Sequence, residues 1–355
     1  MSRKFLIVIV VLISLLGAAS LGARGIDDAF GSDGGTPSDT ALPHRIVQAG
    51  SSAFIVENAL YMFPEAVDRV VGLAEGDQGN GFFIPAVDPR IGEKTILPRR
   101  AATEEILALN PDVVVMKNFM KARMGEPIER VGVETLYLDL ETPEAWKEDL
   151  EAIGRLFGNP ARADELIGLF ERRIAAVEGP LENLPDEERP TTLMLYWSVT
   201  DGAAAVNVPP LSWLQTRLVE MAGGEPIWKD ADLGERWTKT NIEQIAAWNP
   251  EVIVVAAYHV SAQQAVEAIM ADPVWSSLDA VKAGRVHAFP ADYHSWDQPD
   301  ARWLLGLSWL AAVLHPERFP DRDAETEVRS FYRDFFSMND AAYEEFIAPR
   351  LGTPD

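Results

Sequence analysis

The chain has 355 residues, a length that suits two domains of ordinary size better than one. Hydrophobic residues make up 47%, enough for a buried core and too many for a disordered or fibrous chain. The formal net charge of -24 argues against nucleic acid or anionic lipid as the main partner, since both are polyanions. The sequence contains no cysteine, which excludes disulfides, a cysteine-linked lipid anchor, thiolate metal sites and thiol catalysis.

The N-terminus has the order of charge and hydropathy typical of a secretory signal. Arg3 and Lys4 precede an apolar stretch over residues 5–16, and small residues follow at 17–23. The pattern predicts a signal peptide or an uncleaved N-terminal anchor over 1–23, followed by a flexible linker over 24–44. With either outcome we expect a periplasmic or otherwise extracytoplasmic protein that meets the membrane only through an uncleaved anchor.

Short apolar strands alternate with helical segments along the first half of the chain. This alternation predicts a doubly wound α/β unit with a parallel sheet over residues 45–159. The predicted elements are strand 45–50, helix 53–63, strand 70–73, helix 104–109, strand 113–116 and strand 135–138.

A long amphipathic helix is predicted next, over residues 160–177. Its apolar positions recur at spacings of three and four, from Ala163 to Val177. The helix and the charged segment after it form a predicted connection over 160–190. A second alternating region, 191–348, contains predicted strands at 192–197, 252–256 and 285–289 and a predicted helix at 212–222.

An internal repeat relates the two regions. Residues 103–115 match residues 242–254 at one offset, and each copy places a glutamate, an Asn-Pro pair, an acidic residue and a valine-rich strand at the same positions. The economical interpretation is two Rossmann-like lobes of the same fold, joined by the single long helix.

These segments resemble the periplasmic binding proteins that serve ABC importers of iron–siderophore, haem and cobalamin. The resemblance rests on the Glu-x-Ile-x-Ala-Leu-Asn-Pro-Asp-Val-Val-Val pattern of each copy, the linking helix, and the segment from Trp296-Asp297-Gln298-Pro299 to His315-Pro316-Glu317. It covers roughly residues 45–348. It implies a monomeric binding protein without enzymatic activity or a cofactor of its own, which captures a small-molecule metal chelate and delivers it to the importer permease. The bound ligand itself would contain the iron or cobalt.

The resemblance also implies a docking role for one glutamate in each lobe. By position these are Glu104 and Glu243, each near the start of its helix. Two exposed carboxylates at a fixed separation match two arginines on a permease, although a glutamate in a first helical turn also simply suits the helix dipole.

The ligand is expected beyond the carboxyl ends of the strands, where the two lobes face each other across a cleft. Candidate contacts therefore follow the strands and include Asn118. Arg99 and Arg100 are looser candidates, and Arg236 and Trp237 lie in a loop and are weaker ones. The predicted ligand-binding residues are Ser51, Ser52, Lys117, Tyr196, Trp197, Arg236, Trp237, Tyr258, His259, Tyr293, His294 and Trp296.

The residue types favour a flat or metal-containing ligand. Histidine and tyrosine can ligate a metal in the ligand, and aromatic rings stack on flat macrocycles. Nine of the ten tryptophans lie beyond residue 190, so the second lobe is expected to supply most of the apolar contact. Lys117, Arg99 and Arg100 could meet acidic groups on the ligand, and the irregular segment 80–94 forms either a lid or a plain surface loop.

An enzyme is the main alternative class, but the sequence contains little that supports it. Glycine-rich phosphate loops, a Gly-x-Ser-x-Gly elbow and a His-Glu-x-x-His motif are all absent from the sequence, so no catalytic residue and no resident metal ligand is predicted. His259 and His294 with Asp292 and Asp297 could form a metal-dependent hydrolytic site only if the fold happened to assemble them. A membrane-anchored sensor ectodomain of the same fold is a further alternative.

Overall fold

A computed structural model describes residues 42–351 except 77, 79, 80, 201, 202 and 232. The predicted signal and nearly all of the linker fall on residues 1–41, outside the described residues. Within the part of the chain that is described, no helix combines the length and the apolar character needed to cross a membrane.

The first lobe is built on a five-stranded sheet in which every neighbouring pair is parallel. The strand order is β3-β2-β1-β4-β5, the arrangement of a doubly wound sheet. Its strands are β1 (Ile46–Gln48), β2 (Val70–Ala74), β3 (Thr95–Leu97), β4 (Val113–Lys117) and β5 (Glu134–Leu138). Its helices are α1 (Ala53–Tyr61), α2 (Ala66–Arg69), α3 (Thr103–Leu107), α4 (Glu126–Glu129) and α5 (Pro143–Phe157).

The long linking helix is present as α6 (Pro160–Leu181), four residues longer than the sequence pattern indicates. Asn159 caps its N-terminus by accepting a hydrogen bond from the Arg162 backbone N–H at 3.1 Å. The apolar stripe predicted from Ala163 to Val177 faces the core, apart from Ile174, which is half-buried. Pro180 is accommodated in the last turn of the helix.

The second lobe has a mixed sheet, so the prediction of a wholly parallel sheet needs correction for this lobe. Strand β10 pairs in parallel with β6 and β11, whereas β7 runs antiparallel to β6 and β9. Only two residues separate β6 from β7, a spacing that permits a hairpin and no parallel crossover. The strands are β6 (Thr191–Thr200), β7 (Ala203–Val208), β8 (Glu225–Pro226), β9 (Thr238–Thr240), β10 (Val252–Ala256) and β11 (Val286–Ala288). The helices are α7 (Leu214–Met221), α8 (Ile242–Trp248), α9 (Ala262–Ala271), α10 (Asp279–Lys282), α11 (Trp303–Leu314), α12 (Ala324–Phe336) and α13 (Asp340–Ala342).

The sequence repeat has a structural counterpart in both lobes. Asn110 follows α3 with φ of 46°, and Asn249 follows α8 with φ of 47°, so both asparagines adopt the left-handed conformation after a helix. Each is followed by proline, and the strand that comes next, β4 or β10, is buried along its whole length. The two copies are therefore the same helix–turn–strand unit.

The C-terminal helices pack back onto the first lobe and tie the two lobes together. Arg162 of α6 donates to the carbonyl oxygens of Asp334 and Phe335 at 2.9 and 2.8 Å, and to that of Met62 at 3.0 Å. These carbonyls lie at the ends of α12 and α1, where helix oxygens lack intrahelical partners. One guanidinium thus joins three helices.

A close approach between α11 and the segment before it depends on Gly306. A Cβ at this position would lie 2.5 Å from the Trp296 carbonyl oxygen and 2.9 Å from the Phe289 ring.

Replacing Gly306 with alanine is expected to lower the free energy of unfolding by about 1–3 kcal/mol, because the backbone must move. Gly179, on the exposed side of α6, has no atom within 4 Å of such a Cβ, and its alanine variant should gain up to about 1 kcal/mol. Urea unfolding of both variants checks this, and equal effects would contradict it.

Candidate functional site

The carboxyl ends of β10 and β11 open onto a cavity of about 700 Å³ in the second lobe. Four of the predicted ligand-binding residues line it together. They are Tyr258, His259, Tyr293 and His294. The cavity therefore lies where an open α/β sheet places its ligand, and two chain segments far apart in sequence meet there because β10 and β11 are neighbours.

His294 is the most constrained of these residues. Its ring stacks on Phe54 of α1 with centroids 3.9 Å apart and planes 6° from parallel, and only 4% of the residue is exposed. Arg302 lies on its other side, with Nη2 3.3 Å from His294 Nδ1. Burial and the nearby guanidinium lower the pKa of His294 to about 3, so the ring is neutral at physiological pH.

Arg302 is itself buried and lies between two carboxylates. Its guanidinium is 2.5 Å from Asp292 Oδ1 and 2.5 Å from Asp300 Oδ1. Burial alone would lower the pKa of Arg302, but the two carboxylates raise it well above its usual value. Burial would likewise raise the pKa of Asp292, yet Arg302, Tyr332 and Trp296 together hold it below its usual value.

This buried charge cluster connects the two lobes. Asn58 of α1 donates from Nδ2 to Asp300 Oδ2 at 2.6 Å, and Tyr332 of α12 donates to Asp292 Oδ2 at 2.5 Å. The Arg302 guanidinium also lies 5.8 Å from the centre of the Phe83 ring, a residue of the first lobe. The charge cluster next to the cavity is therefore also a contact between the two lobes.

An aromatic cluster extends from Tyr258 away from the cavity. Tyr196 stacks on Tyr258 at 4.6 Å, and Trp237 lies 5.1 Å from Tyr196 and 5.7 Å from Trp213. All four rings are half-buried, so each keeps part of its surface open. The structure thus brings three of the predicted ligand-binding residues, Tyr196, Trp237 and Tyr258, into one cluster.

Asp297 holds the hydroxyl group of Tyr258, a member of this cluster, in place. The Tyr258 hydroxyl donates to Asp297 Oδ2 at 2.6 Å, and Gln215 Nε2 lies 3.4 Å from the same oxygen. Burial raises the pKa of Asp297, and burial with the nearby carboxylate raises that of Tyr258 well above its usual value. The Tyr258 phenol is therefore held as a hydrogen-bond donor to protein and is unsuited to binding a metal as phenolate.

Lys117 of the first lobe does not have the free charge that the sequence interpretation gave it. The side chain is fully buried, and Nζ is 2.6 Å from Glu141 Oε1 and also donates to the Asp139 carbonyl. Asn118 donates to the Asp139 carboxylate at 2.9 Å. These partners are some 22 residues away in sequence, so the pairing could not be inferred from the local pattern.

Trp296 is also placed differently from the prediction. Only 1% of the residue is exposed, and its indole N–H donates to Asp292 Oδ2 at 3.1 Å. It therefore packs in the core beneath the cavity rather than against a ligand. Tyr293 lies at the border, with 5% exposed and its hydroxyl donating to the Phe346 carbonyl at 3.0 Å.

The remaining predicted residues are spread around the site. Ser51 and Ser52 are half-buried before α1, Trp197 is half-buried on β6, and Arg236 is exposed beside Trp237. Arg99 and Arg100 are exposed after β3, which is the edge strand of the first sheet. None of these positions is inconsistent with a ligand contact.

The structure adds residues that the sequence did not single out. Arg350 and His287 line the cavity, Arg302 and Phe54 fix His294, and Glu57 lies buried on α1. Phe54 lies less than one helical turn after Ser51, and Glu57 lies less than two turns after it. A search of the helix that begins after the first strand could have found them, whereas no local pattern marks Arg302, which directly precedes α11.

The two predicted docking glutamates are exposed at matching positions of α3 and α8. In both helices the residue two places later, Ile106 or Ile245, is buried and fixes which face is outward. Among the described residues, no group of three or more histidine or acidic side chains is arranged to hold a metal ion.

Two α/β lobes, one linking helix and a cavity at the strand ends define a solute-binding protein of the two-lobed type. A family model described as periplasmic binding protein matches residues 94–293, more than half of the chain. The chain belongs to this family, and proteins of the family work with the permeases of ABC importers. The resemblance and the fold class inferred from the sequence are confirmed, apart from the antiparallel strands in the sheet of the second lobe.

Among curated proteins, the molybdate-binding protein MolA of Haemophilus influenzae is 25% identical over 255 residues, which are 66% of this chain and 69% of the relative. The crystal structure of that protein bound to molybdate has a TM-score of 0.66 at 21% identity and covers 84% of this chain and 94% of its own.

Two further solved structures share the fold. The TroA-like periplasmic binding protein FepB of Veillonella parvula has a TM-score of 0.68 at 20% identity, covering 85% of this chain and 94% of its own. CeuE of Helicobacter pylori, solved with Ni(II) bound, has a TM-score of 0.64 at 21% identity, covering 86% and 95%. At such identities the likeness describes the architecture alone.

Glu57 should make the stability of the protein depend on pH. Burial raises its pKa from about 4.5 to about 8, so the folded protein keeps the proton that the unfolded chain releases above pH 4.5. Its contribution is therefore complete below pH 4.5 and is lost as the pH rises to 8. We expect Glu57→Gln to gain about 2–5 kcal/mol relative to wild type between pH 4.5 and pH 8.

Urea unfolding at several pH values measures this gain. Glu151→Gln is the matched control, because Glu151 is exposed on α5. Parallel stability profiles for wild type and Glu57→Gln would show that the buried carboxyl is ionised in the folded protein.

Proposed function

We propose that this protein captures a metal chelate outside the cytoplasm and delivers it to the permease of an ABC importer. The single observation that carries the proposal is the 700 Å³ cavity at the ends of β10 and β11, continued by the aromatic cluster around Tyr258. Cavities of about 300–1,000 Å³ suit organic ligands with tens of atoms.

The size and lining favour a chelate over a bare oxyanion. A tetrahedral oxyanion has five heavy atoms and would leave most of this cavity to water. Tyr258 in the lining, with the half-buried rings of Tyr196, Trp213 and Trp237 beside it, offers apolar surface that an oxyanion cannot use but an organic chelator can. Iron–siderophore, haem and corrinoid ligands all meet this requirement.

Molybdate is the second candidate, because the relative MolA is a molybdate-binding protein. The cavity also includes Arg350 and His259, which could donate hydrogen bonds to an oxyanion. The metal in either ligand belongs to the cargo, since the described residues do not provide a metal site of their own.

Native mass spectrometry with absorbance spectra, on protein purified from its own periplasm or medium, tests the proposal. We expect a co-purifying iron chelate, haem or corrinoid, with a characteristic absorbance band. Protein that arrives empty should bind one of the three on titration. Failure with all three, together with binding of sodium molybdate, would replace the chelate with the oxyanion.

Delivery to the permease would use Glu104 and Glu243. Both carboxylates are exposed, and each lies in the first turn of a helix that the repeat places at the same point of its lobe. Because the lobes share the buried cluster of Asn58, Asp300 and Arg302, the two carboxylates keep a constant separation. A fixed pair of charges is suited to a permease surface with two arginines.

Reversing both charges, with Glu104→Arg and Glu243→Arg, should abolish uptake by whole cells and leave ligand affinity unchanged. The control reverses two exposed carboxylates at the end of α6 and directly after it, with Glu178→Arg and Glu182→Arg, and so makes the same change in net charge. Uptake is measured with labelled ligand and affinity by tryptophan fluorescence. Retained uptake in the first variant, or equal loss in both, would contradict docking through these glutamates.

A further inference from the structure

The protonation state of His294 follows from its partner. Arg302 donates through Nη2 and has no acceptor, so His294 Nδ1, 3.3 Å away, must accept with its lone pair. A neutral imidazole that accepts at Nδ1 carries its hydrogen on Nε2. The ring is neutral because its surroundings are buried and cationic. The tautomer is therefore set by the protein.

The same arrangement decides which part of the ring is left for a ligand. Phe54 covers one face at 3.9 Å, and Arg302 occupies Nδ1. His294 nevertheless lines the cavity. The Nε2–H group is thus the polar group that remains to meet a ligand, and it can only donate.

We propose that His294 determines ligand specificity by donating a hydrogen bond from Nε2–H to an anionic oxygen of the ligand, with Arg302 as the positioning residue. The inference rests on the proposed function and deepens it, since it names the ligand chemistry that the cavity recognises. That chemistry is a carboxylate, hydroxamate, catecholate or phosphate oxygen on the chelate.

This assignment departs from the role of metal ligand that the sequence suggested for His294. A metal binds the lone pair of an imidazole nitrogen, and in this tautomer the only lone pair points to a guanidinium. Binding a metal at Nε2 would require moving that proton to Nδ1, where the hydrogen would face the N–H donors of Arg302. His294 therefore selects an oxygen of the ligand and leaves the metal to the chelator.

The charges facing the ring keep it neutral over a wide pH range. Arg302 contacts the ring directly and lowers the pKa of His294 together with burial. Asp292, which also lines the cavity and accepts from the His294 backbone N–H at 3.2 Å, raises this pKa without reversing the shift, and Asp300 pairs with the same guanidinium. From the first lobe, Phe54 contributes an uncharged ring and Asn58 an amide. Across the cavity lie His259, His287 and Arg350, none of them a carboxylate that would stabilise an imidazolium.

Long-range proton–nitrogen NMR of ligand-free, ¹⁵N-labelled protein tests the tautomer directly. The His294 signal is identified by its loss in His294→Gln. We expect an Nε2–H tautomer with an unprotonated Nδ1, unchanged from pH 8 down to pH 5. A Nδ1–H tautomer, or protonation within this range, would overturn the inference. A merely structural role of Arg302 would not fix the tautomer of His294, so the NMR result separates positioning of the ring from support of the fold. The measurement needs no ligand.

Binding measurements test the donated hydrogen bond. The probes are a ferric trihydroxamate, sodium molybdate and NiCl₂ alone, titrated by tryptophan fluorescence. His294→Leu should weaken the anionic probe that binds wild type at least tenfold, whereas His294→Gln, which keeps an N–H donor, should stay within about threefold. His44→Gln is the control, because His44 is exposed and far from the cavity lining.

The two proposals fail in different ways. Tight binding of Ni²⁺ alone that is lost in His294→Gln would make His294 a metal ligand and overturn the inference, as would unchanged affinity in His294→Leu. Protein that carries and binds no chelate would overturn the proposed function, whereas the NMR result would still decide the tautomer.

Discussion

The organisation of the site depends on one buried cation. Arg302 can remain charged in the interior only because Asp292 and Asp300 each lie 2.5 Å from its guanidinium. Each carboxylate has a further partner on another element, Tyr332 of α12 or Asn58 of α1. Removing one member would leave an uncompensated buried charge, which costs several kcal/mol, so the cluster holds these elements in one arrangement. The tautomer of His294 follows from the same cluster, because the charged Arg302 guanidinium can only donate to Nδ1.

The cluster also holds the two lobes against each other. Three side chains from the first lobe, Phe54, Asn58 and Phe83, contact groups of the second lobe around Arg302. A large opening of the cleft would have to separate a stacked ring pair and a buried hydrogen bond. The α6 helix adds a rigid connection, since a continuous helix bends less than paired strands.

The sequence was sufficient for the features that follow from local pattern. The two copies of the helix–Asn-Pro–strand unit, the linking helix and the strand ends that form the cavity were all predictable, because periodicity and turn residues specify them locally. The ion pair of Lys117 with Glu141 and the burial of Trp296 against Asp292 were not predictable, because they depend on which strands and helices become neighbours. The antiparallel β7 was missed since its alanine-rich sequence lacks the alternation of a typical strand. The residue types thus indicated where the site lies. The tertiary pairing of strands and helices decided which of the candidate residues face the cavity.

The return of α12 to the first lobe has a consequence for folding. Phe83 packs edge-on against Tyr332 and Phe336, with ring centres 5.2 and 4.7 Å away, although some 250 residues separate them along the chain. A nascent chain that ends before α12 leaves Phe83 without these ring partners and Arg162 without two of its three carbonyl acceptors. Contacts of such long range delay folding until nearly the whole chain is available. The first lobe consequently reaches its final packing only after the last helices have been synthesised.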